Sequence, residues 1–514
     1  MLQEIGRQAE LKVGSMAESQ HTAADEASCG NTFSSGYNNL CALIIAAFFV
    51  VIASLNFLYP SPSGPPDNGD FNRIFSSFSS GPLGHDFWPP LENQEAYQKR
   101  FFNFYHRFWR LDAGRDGFVH LSSSRVFFWP GRLLNLTPGI FDLAWNAFLL
   151  SLLAGYVLYI SLKSVGSYQA VFPLGVLALI FADANIIGYL NSFYQESGAF
   201  LSFLFLVCAL HVLWIRRNLS CLLIILVISL ILAGTKTAYT LSVLPAIIPM
   251  LGGIMFLTPK GLYLRRYVVS AALFLLLASV LFVKFLSVTP GNERRANCYH
   301  FIFSGAIPFL SPVEGKAFLQ KLGLDSAFIR LGGKSAYQPD SEFEQEPLRS
   351  SLTTRLHLKA VAQLVFHHPE EFIKMIELGF SKAGFYPHLQ YHSLSEPKEI
   401  TFRFRWRLWS RLHDRFLHGI PYLAGVFFLT LIFGTLVWKR KDSGWTLFCL
   451  LAAAGFFPAS VLQVLISVVG NGPADMVKHM YFANLLLDAA FVFVCCGLIV
   501  TVMTIWEERK GKPA

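Results

Sequence analysis

The stretch LCALIIAAFFVVIASLNFLY, Leu40–Tyr59, runs from end to end without a charged residue, and CLLIILVISLILAG, Cys221–Gly234, does the same. A run of that length and character is what a membrane-crossing helix requires, because about twenty apolar residues span the hydrocarbon core and every backbone polar group must be satisfied within the segment. The chain as a whole agrees. Of its 514 residues, 53% are hydrophobic and only 15% charged, against about 25% charged in ordinary soluble domains. The expected fold class is an all-α polytopic membrane protein of about ten transmembrane helices.

Met1 to about Asn38 is polar and lacks a basic region followed by a short apolar run and a cleavage site, so 1–38 reads as a cytosolic tail rather than a signal peptide. Cys41, Cys208, Cys221, Cys449, Cys495 and Cys496 lie in apolar stretches, where cysteine acts as a small hydrophobe. Cys29 is in the tail and Cys298 in a long loop, and no disulfide framework or zinc spacing is present.

Spans are expected near 39–59, 139–162, 168–188, 198–215, 219–234, 239–258, 267–288, 419–438, 445–469 and 480–506. With the N-terminus cytosolic, the inner connections hold Lys163, Arg216, Arg217, Lys260, Arg265, Arg266, Lys439, Arg440 and Lys441, and the tail 507–514 adds Arg509, Lys510 and Lys512. The short outer connections hold only Lys236 and Lys478. Lys/Arg bias in short loops sets orientation, and the net charge of +9 is read in those terms rather than as a nucleic-acid signal.

Two long segments then fall outside: a first exoplasmic loop, 60–138, within the transmembrane region 39–288, and an exoplasmic domain, 289–418, ahead of the C-terminal spans 419–506. SPVEGKAFLQKLGLDSAFIRLGG and HHPEEFIKMIELGF carry helical periodicity between Gly and Pro, so the domain is expected to be mostly helical. In RFRWRLWSRLHDRF, Arg407, Arg411 and Arg415 fall on one helical face beside Trp406 and Trp409, and YQKRFFNFYHRFWR has the same character. Both read as interfacial helices on the outer leaflet, with contacts to lipid phosphate as the second reading.

Ionisable groups at membrane depth are costly and suggest function. Those that gather at the outer side are Asp67, Asp70 and Arg73 after the first span; Asp183 and Glu196 around YLNSFYQESG; Lys236; and Asp475, Lys478 and His479 in GNGPADMVKHMYFAN. Taken singly, each has a structural reading. Glu196 and Asp183 suit paired charges, Lys236 a snorkelling end residue, Asp475 and Lys478 a helix-start pair, and Asp67 and Asp70 turn formers. As a set they suit attack of a hydroxyl on a lipid-linked phosphate ester, with a carboxylate taking the proton and cations stabilising the departing phosphate. Nucleotide-binding, HExxH and GxSxG motifs are missing from the sequence.

The order GDFNR (69–73), YLNSFYQES (189–197), TK (235–236) and GNGPADMVKHMYFAN (470–484) resembles bacterial polytopic glycosyltransferases of the GT-C superfamily, including the hexose transferases of surface-layer glycan assembly. CYHFIFSGAIPF and GLDSAFIRLGGKSAY are similar to their exoplasmic domain, and the likeness covers nearly the whole chain after about residue 40. The resemblance implies inverting transfer of a sugar, a hexose for choice, from a polyprenyl-phosphate donor to a glycan or lipid-linked acceptor at the outer face of the cytoplasmic membrane. It implies Asp70 as general base. Arg73, Lys236, Lys478 and His479 would meet the lipid phosphate, Asp183, Glu196 and Asp475 would orient groups around it, and Tyr194 would pack the sugar or prenyl chain. Asn471 and Pro473 stand where the family motif has Asp and Glu, so the late motif loses two carboxylates and no metal is expected; Ser197 stands where the family has Pro, and no cofactor is expected. The partners implied are donor, acceptor and bilayer, without nucleic acid. Two alternatives use the same lipid chemistry: a flippase or exporter of lipid-linked glycans, and a glycan polymerase or ligase.

Overall fold

The computed structural model describes residues 36–56, 58, 71, 74, 107–111, 122–164, 168–257, 263–286, 291–338, 340–386, 406–440, 444–473 and 476–511. The expectations for the polar tail, for Asp67, Asp70, Arg73 and Asp475, and for most of the first loop lie outside these residues.

The chain is an all-α polytopic membrane protein. Helix α1 is Gly36–Asn56. A two-stranded antiparallel sheet follows, with β1 (Phe108–Arg110) pairing β2 (Ile140–Asp142) so that Trp109 faces Phe141. This corrects the reading of YQKRFFNFYHRFWR as a helix where it is described: Phe108–Arg110 extends, burying Trp109 fully. Asp142 explains why the strand stops. Its carboxylate accepts from the backbone N–H groups of Ala144 and Trp145 as the N-cap of α2 (Leu143–Lys163), and Arg107 grips the same carboxylate through two bonds of 2.9 and 2.7 Å.

Helix α3 (Tyr168–Phe181) ends at Asp183, whose extended backbone breaks the helix and whose side chain caps the short turn Ala184–Ile187. The two halves of this span meet at 71°. Helices α4 (Gln195–Arg216), α5 (Leu219–Thr235), α6 (Thr237–Leu257) and α7 (Tyr263–Leu286) follow on short connections. Arg217 turns left-handed (φ 46°) to end α4, and Asn218 caps α5.

Four helices then form a separate unit: α8 (Gly291–Tyr299) running into a π turn, α9 (Pro312–Leu322) with a Ser311/Glu314 capping box, α10 (Thr354–His367) and α11 (Pro369–Ser381). The short α12 (Leu408–Arg415) leads to the long helices α13 (Gly419–Arg440), α14 (Trp445–Asn471) and α15 (Tyr481–Arg509).

All ten expected spans fall on helices, but they are not equivalent. Seven described helices are long and apolar enough to cross a membrane, and the bent α3 pair makes an eighth. Leu219–Thr235 and the apolar part of α7, Arg266–Ala278, are shorter. Two cores hold the protein together. The larger lies among the long helices and includes Phe71, Trp109 and Phe128 of the first loop. The smaller fills the unit α8–α11 and continues onto Val464, Val468, Met476, Met480 and Ala483, so this unit is seated on the end of α14 and the start of α15.

The basic connections collect at one end of the bundle. Arg440 pairs with Glu508 at 2.8 Å, Arg216 reaches Ser164, and Trp445 at the start of α14 packs on His211 near the end of α4 at 4.7 Å. Of the groups singled out for chemistry, the described ones, Asp183, Tyr194, Glu196, Lys236, Lys478 and His479, lie at the other end.

Candidate active site

The stretch Tyr189–Tyr194 is buried throughout. Its short turns are fixed locally: Ser192 donates to the Tyr189 carbonyl at 2.6 Å and accepts from the Tyr194 N–H at 3.2 Å. The aromatic rings then knit the corner to its surroundings. Phe193 packs on Trp109 (5.0 Å) and Phe128 (5.0 Å), and Tyr194 meets Phe71 at 4.8 Å. Tyr189 packs on Tyr481 at 4.5 Å, and Tyr481 donates to the Ile186 carbonyl at 2.8 Å. YLNSFY is therefore a wall shared by the first loop, the broken span and α15, far more than a turn needs.

Charges are placed against that wall. Glu196, 1% exposed in the first turn of α4, accepts from Lys236 Nζ at 3.0 Å and from the Tyr239 hydroxyl at 3.3 Å. Lys236 is the single residue between α5 and α6, in extended conformation, which turns it toward α4. The Lys478 ammonium, on the short turn before α15, lies 4.4 Å from the centroid of the Tyr194 ring and is itself buried. His479 follows, its Nε2 2.9 Å from the Asn471 side-chain amide. Two cations, a carboxylate and four tyrosines (189, 194, 239 and 481) thus share one region.

The sequence reading missed a third wall. Residues Ser123–Phe128 form a 3₁₀ turn wedged between the start of α4 and the end of α5. Ser122 donates to the Thr235 carbonyl (2.8 Å), Ser123 to that of Ile231, and Ser124 to that of Gln195 (3.1 Å). Gly198 permits this approach, since a Cβ there would stand 2.9 Å from the Ser124 Cα. Three consecutive serines inside an otherwise aromatic stretch were the available signal.

Asp183 belongs to another set of contacts. Its carboxylate, fully buried, accepts from the N–H groups of Asn185 (3.0 Å) and Ser410 (2.9 Å) and from the Ser410 hydroxyl. It ties the wall to α12. Among the described residues, no three His, Cys, Asp or Glu side chains come together as a metal-holding group.

The family model of the YfdI N-terminal transmembrane domain matches residues 31–513. The chain belongs to this family. Its match covers the unit α8–α11 as well as the membrane helices, so that unit is part of the YfdI N-terminal transmembrane domain. No curated protein and no solved structure matches the chain.

This YfdI-family domain also holds a carboxylate inside its longest helix. Asp488, fully buried, lies about 10 Å along α15 from Tyr481. Its Oδ2 accepts from the Tyr386 hydroxyl (2.6 Å) and Trp409 Nε1 (2.7 Å), and its Oδ1 from the Tyr422 hydroxyl (2.9 Å), with His413 Nε2 3.0 Å away. One turn earlier, Asn484 accepts from the Gly384 N–H and donates to the Phe385 carbonyl. The two residues knot the end of the α8–α11 unit, α12, α13 and α15 into one corner. A lone Asp in ANLLLDAAFVFV was the signal for it.

Proposed function

We propose that this YfdI-family protein is a membrane glycosyltransferase, taking a sugar from a polyprenyl-phosphate donor and passing it to a glycan or other lipid-linked acceptor at the outer face of the cytoplasmic membrane. The observation that carries this reading is the pairing of Lys236 with Glu196 and of Lys478 with Tyr194 on one buried wall. Two largely buried ammonium groups, one of them steadied by the Glu196 carboxylate, suit a phosphate that gains negative charge as its bond to the sugar breaks.

In this scheme the acceptor hydroxyl attacks the anomeric carbon from the face opposite the phosphate. Asp70 takes the hydroxyl proton, the bond from carbon to phosphate oxygen breaks, and polyprenyl phosphate leaves with its charge held by Lys236 and Lys478, aided by Arg73. The anomeric configuration inverts. Asp70 is the covalent neighbour of Phe71, whose ring packs on Tyr194, which supports a base close to the lysines. His479 and, from the same motif, Asp475 would orient groups around the phosphate, and Tyr194 gives the sugar a rigid apolar surface.

Purified protein incubated with a panel of synthetic polyprenyl-phosphate monosaccharides tests the proposal. One donor is expected to be consumed, with release of polyprenyl phosphate and a product of inverted configuration. Consumption of none of them, with completed lipid-linked glycan moved across proteoliposome membranes instead, would replace transfer by transport.

A further inference from the structure

Helix α12 buries one face and presents the other. Ser410 and His413 are enclosed, whereas Leu408 (56% exposed) and Phe416 (71%) stand open and Arg411 and Arg415 are exposed with them. The three arginines of this stretch part ways here. Arg407 donates to the Asn185 side chain at 3.3 Å. Arg411 and Arg415, one turn apart, make no ion pair among the described residues, and Asp414 pairs with neither. Like charges at that spacing repel, so among the described residues the pair is open to a negative partner.

The depth of α12 says which partner. Its Trp409 ring bonds to Asp488, about 10 Å inside α15. The Trp406 ring donates to the Leu179 carbonyl of α3 at 3.2 Å and packs edge-on against Phe48 of α1 at 6.2 Å. Leu179 and Phe48 are outward-facing residues of membrane-spanning helices, 41% and 39% exposed, and in such a chain that flank meets lipid. The open face of α12 therefore continues a lipid-facing surface, with apolar side chains reaching into it and two guanidinium groups at headgroup level. Guanidinium pairs with phosphate through two parallel bonds and buries its stem beside the acyl chains.

We infer that Arg411 and Arg415, with Leu408 and Phe416, form a docking surface for anionic bilayer phospholipid at the end of the bundle opposite the basic connections. The inference is independent of glycosyl transfer: Arg411 and Arg415 have no part in the proposed reaction, and the surface would stand for a transporter equally well.

The test is lipid binding to the delipidated full-length protein in neutral detergent, titrated with phosphatidylglycerol and, separately, with phosphatidylcholine, and read by native mass spectrometry. The unaltered chain should prefer phosphatidylglycerol, less so at high salt. Arg411→Gln/Arg415→Gln should weaken phosphatidylglycerol binding by about fivefold per arginine, roughly 30-fold together, and leave phosphatidylcholine nearly unchanged. Arg411→Lys/Arg415→Lys keeps the charge but loses the paired bonds to phosphate, and should bind phosphatidylglycerol more weakly than the unaltered chain and more tightly than the Gln pair. Undiminished phosphatidylglycerol binding in the Gln pair would overturn the inference. So would equal loss of both lipids, which signals damage to the corner, or a loss confined to added polyprenyl phosphate, which would make the face a donor site.

Discussion

Lys478 holds its ammonium 4.4 Å from the centre of the Tyr194 ring, joining the turn before α15 to the corner before α4. The proposed role in stabilising the leaving phosphate gives a direct expectation. Lys478→Ala should lower turnover at saturating donor by about 10²–10³, the usual cost of one preorganised charge contact, with less change in apparent affinity. Unchanged turnover in both Lys478→Ala and Lys236→Ala would leave these lysines as structural residues only.

Glu196 and Lys236 should be energetically coupled. Their side chains are 2% and 13% exposed, so removing one strands the other in a dry site. Lys236→Met alone should cost about 3–5 kcal/mol of stability. Glu196→Gln/Lys236→Met should cost clearly less than the sum of the two single changes, measured as a double-mutant cycle on denaturation in detergent.

Asp488 should matter for stability more than any other carboxylate in the described helices. Asp488→Asn leaves one acceptor oxygen for groups that the carboxylate satisfies with two, and sets an amide donor against them. We expect a loss of about 3 kcal/mol or more, against about 1 kcal/mol for Tyr422→Phe. Thermal unfolding in detergent gives both values.

Gly384 should not tolerate a side chain. Its φ is +86°, and a Cβ there would stand 2.4 Å from the Leu417 carbonyl oxygen. Gly384→Ala should destabilise the protein by about 2 kcal/mol or more, combining left-handed strain with the clash. Gly323→Ala shares the positive φ but meets nothing within 4 Å, and should cost only the strain.

His300 gives the α8–α11 unit a pH dependence. Its Nε2 accepts from the Ala336 N–H at 3.0 Å, which requires an unprotonated nitrogen, and burial pushes its pKa down to about 4. The unfolded chain binds the proton at about 6.5, so between these values it holds more protons than the folded one. Stability should be full above about pH 6.5 and fall by roughly 3 kcal/mol as pH drops to 4. His300→Gln should flatten that profile. Cys298 of the same unit is fully buried, with its thiol pushed up to about 12. It should resist thiol reagents until the unit unfolds, so topology mapping needs a cysteine at an exposed position such as Val313.

The membrane helices were legible because lipid leaves a chain few options: a span must be long, apolar and helical, and each of the ten expected stretches is a helix. What separates them, the 71° break at Asp183 or the shortness of α5, depends on caps and partners rather than on hydropathy. The wall at Tyr189–Glu196 could be suspected from its residue types, since a turn has no use for so many rings. Its partners could not, because Lys236 meets Glu196 across 40 residues and Ser410 meets Asp183 across 227. Asp488 was visible as an isolated acid and was passed over. Its donors are 66 to 102 residues away, which no local spacing encodes. The strand Phe108–Arg110 is too short for periodicity to distinguish from a basic interfacial helix.

The most direct test of the account compares Asp70→Asn with Asp67→Asn in sugar transfer from a synthetic polyprenyl-phosphate donor, in membranes matched for expression and for detergent stability. Asparagine keeps the size of the side chain and most of its hydrogen bonds but cannot take the acceptor proton. Asp70→Asn should lose about 10²–10⁴ in transfer rate, and Asp67→Asn much less. Retained transfer in Asp70→Asn, or an equal loss in both, would contradict the account and move the search for the base to Glu196.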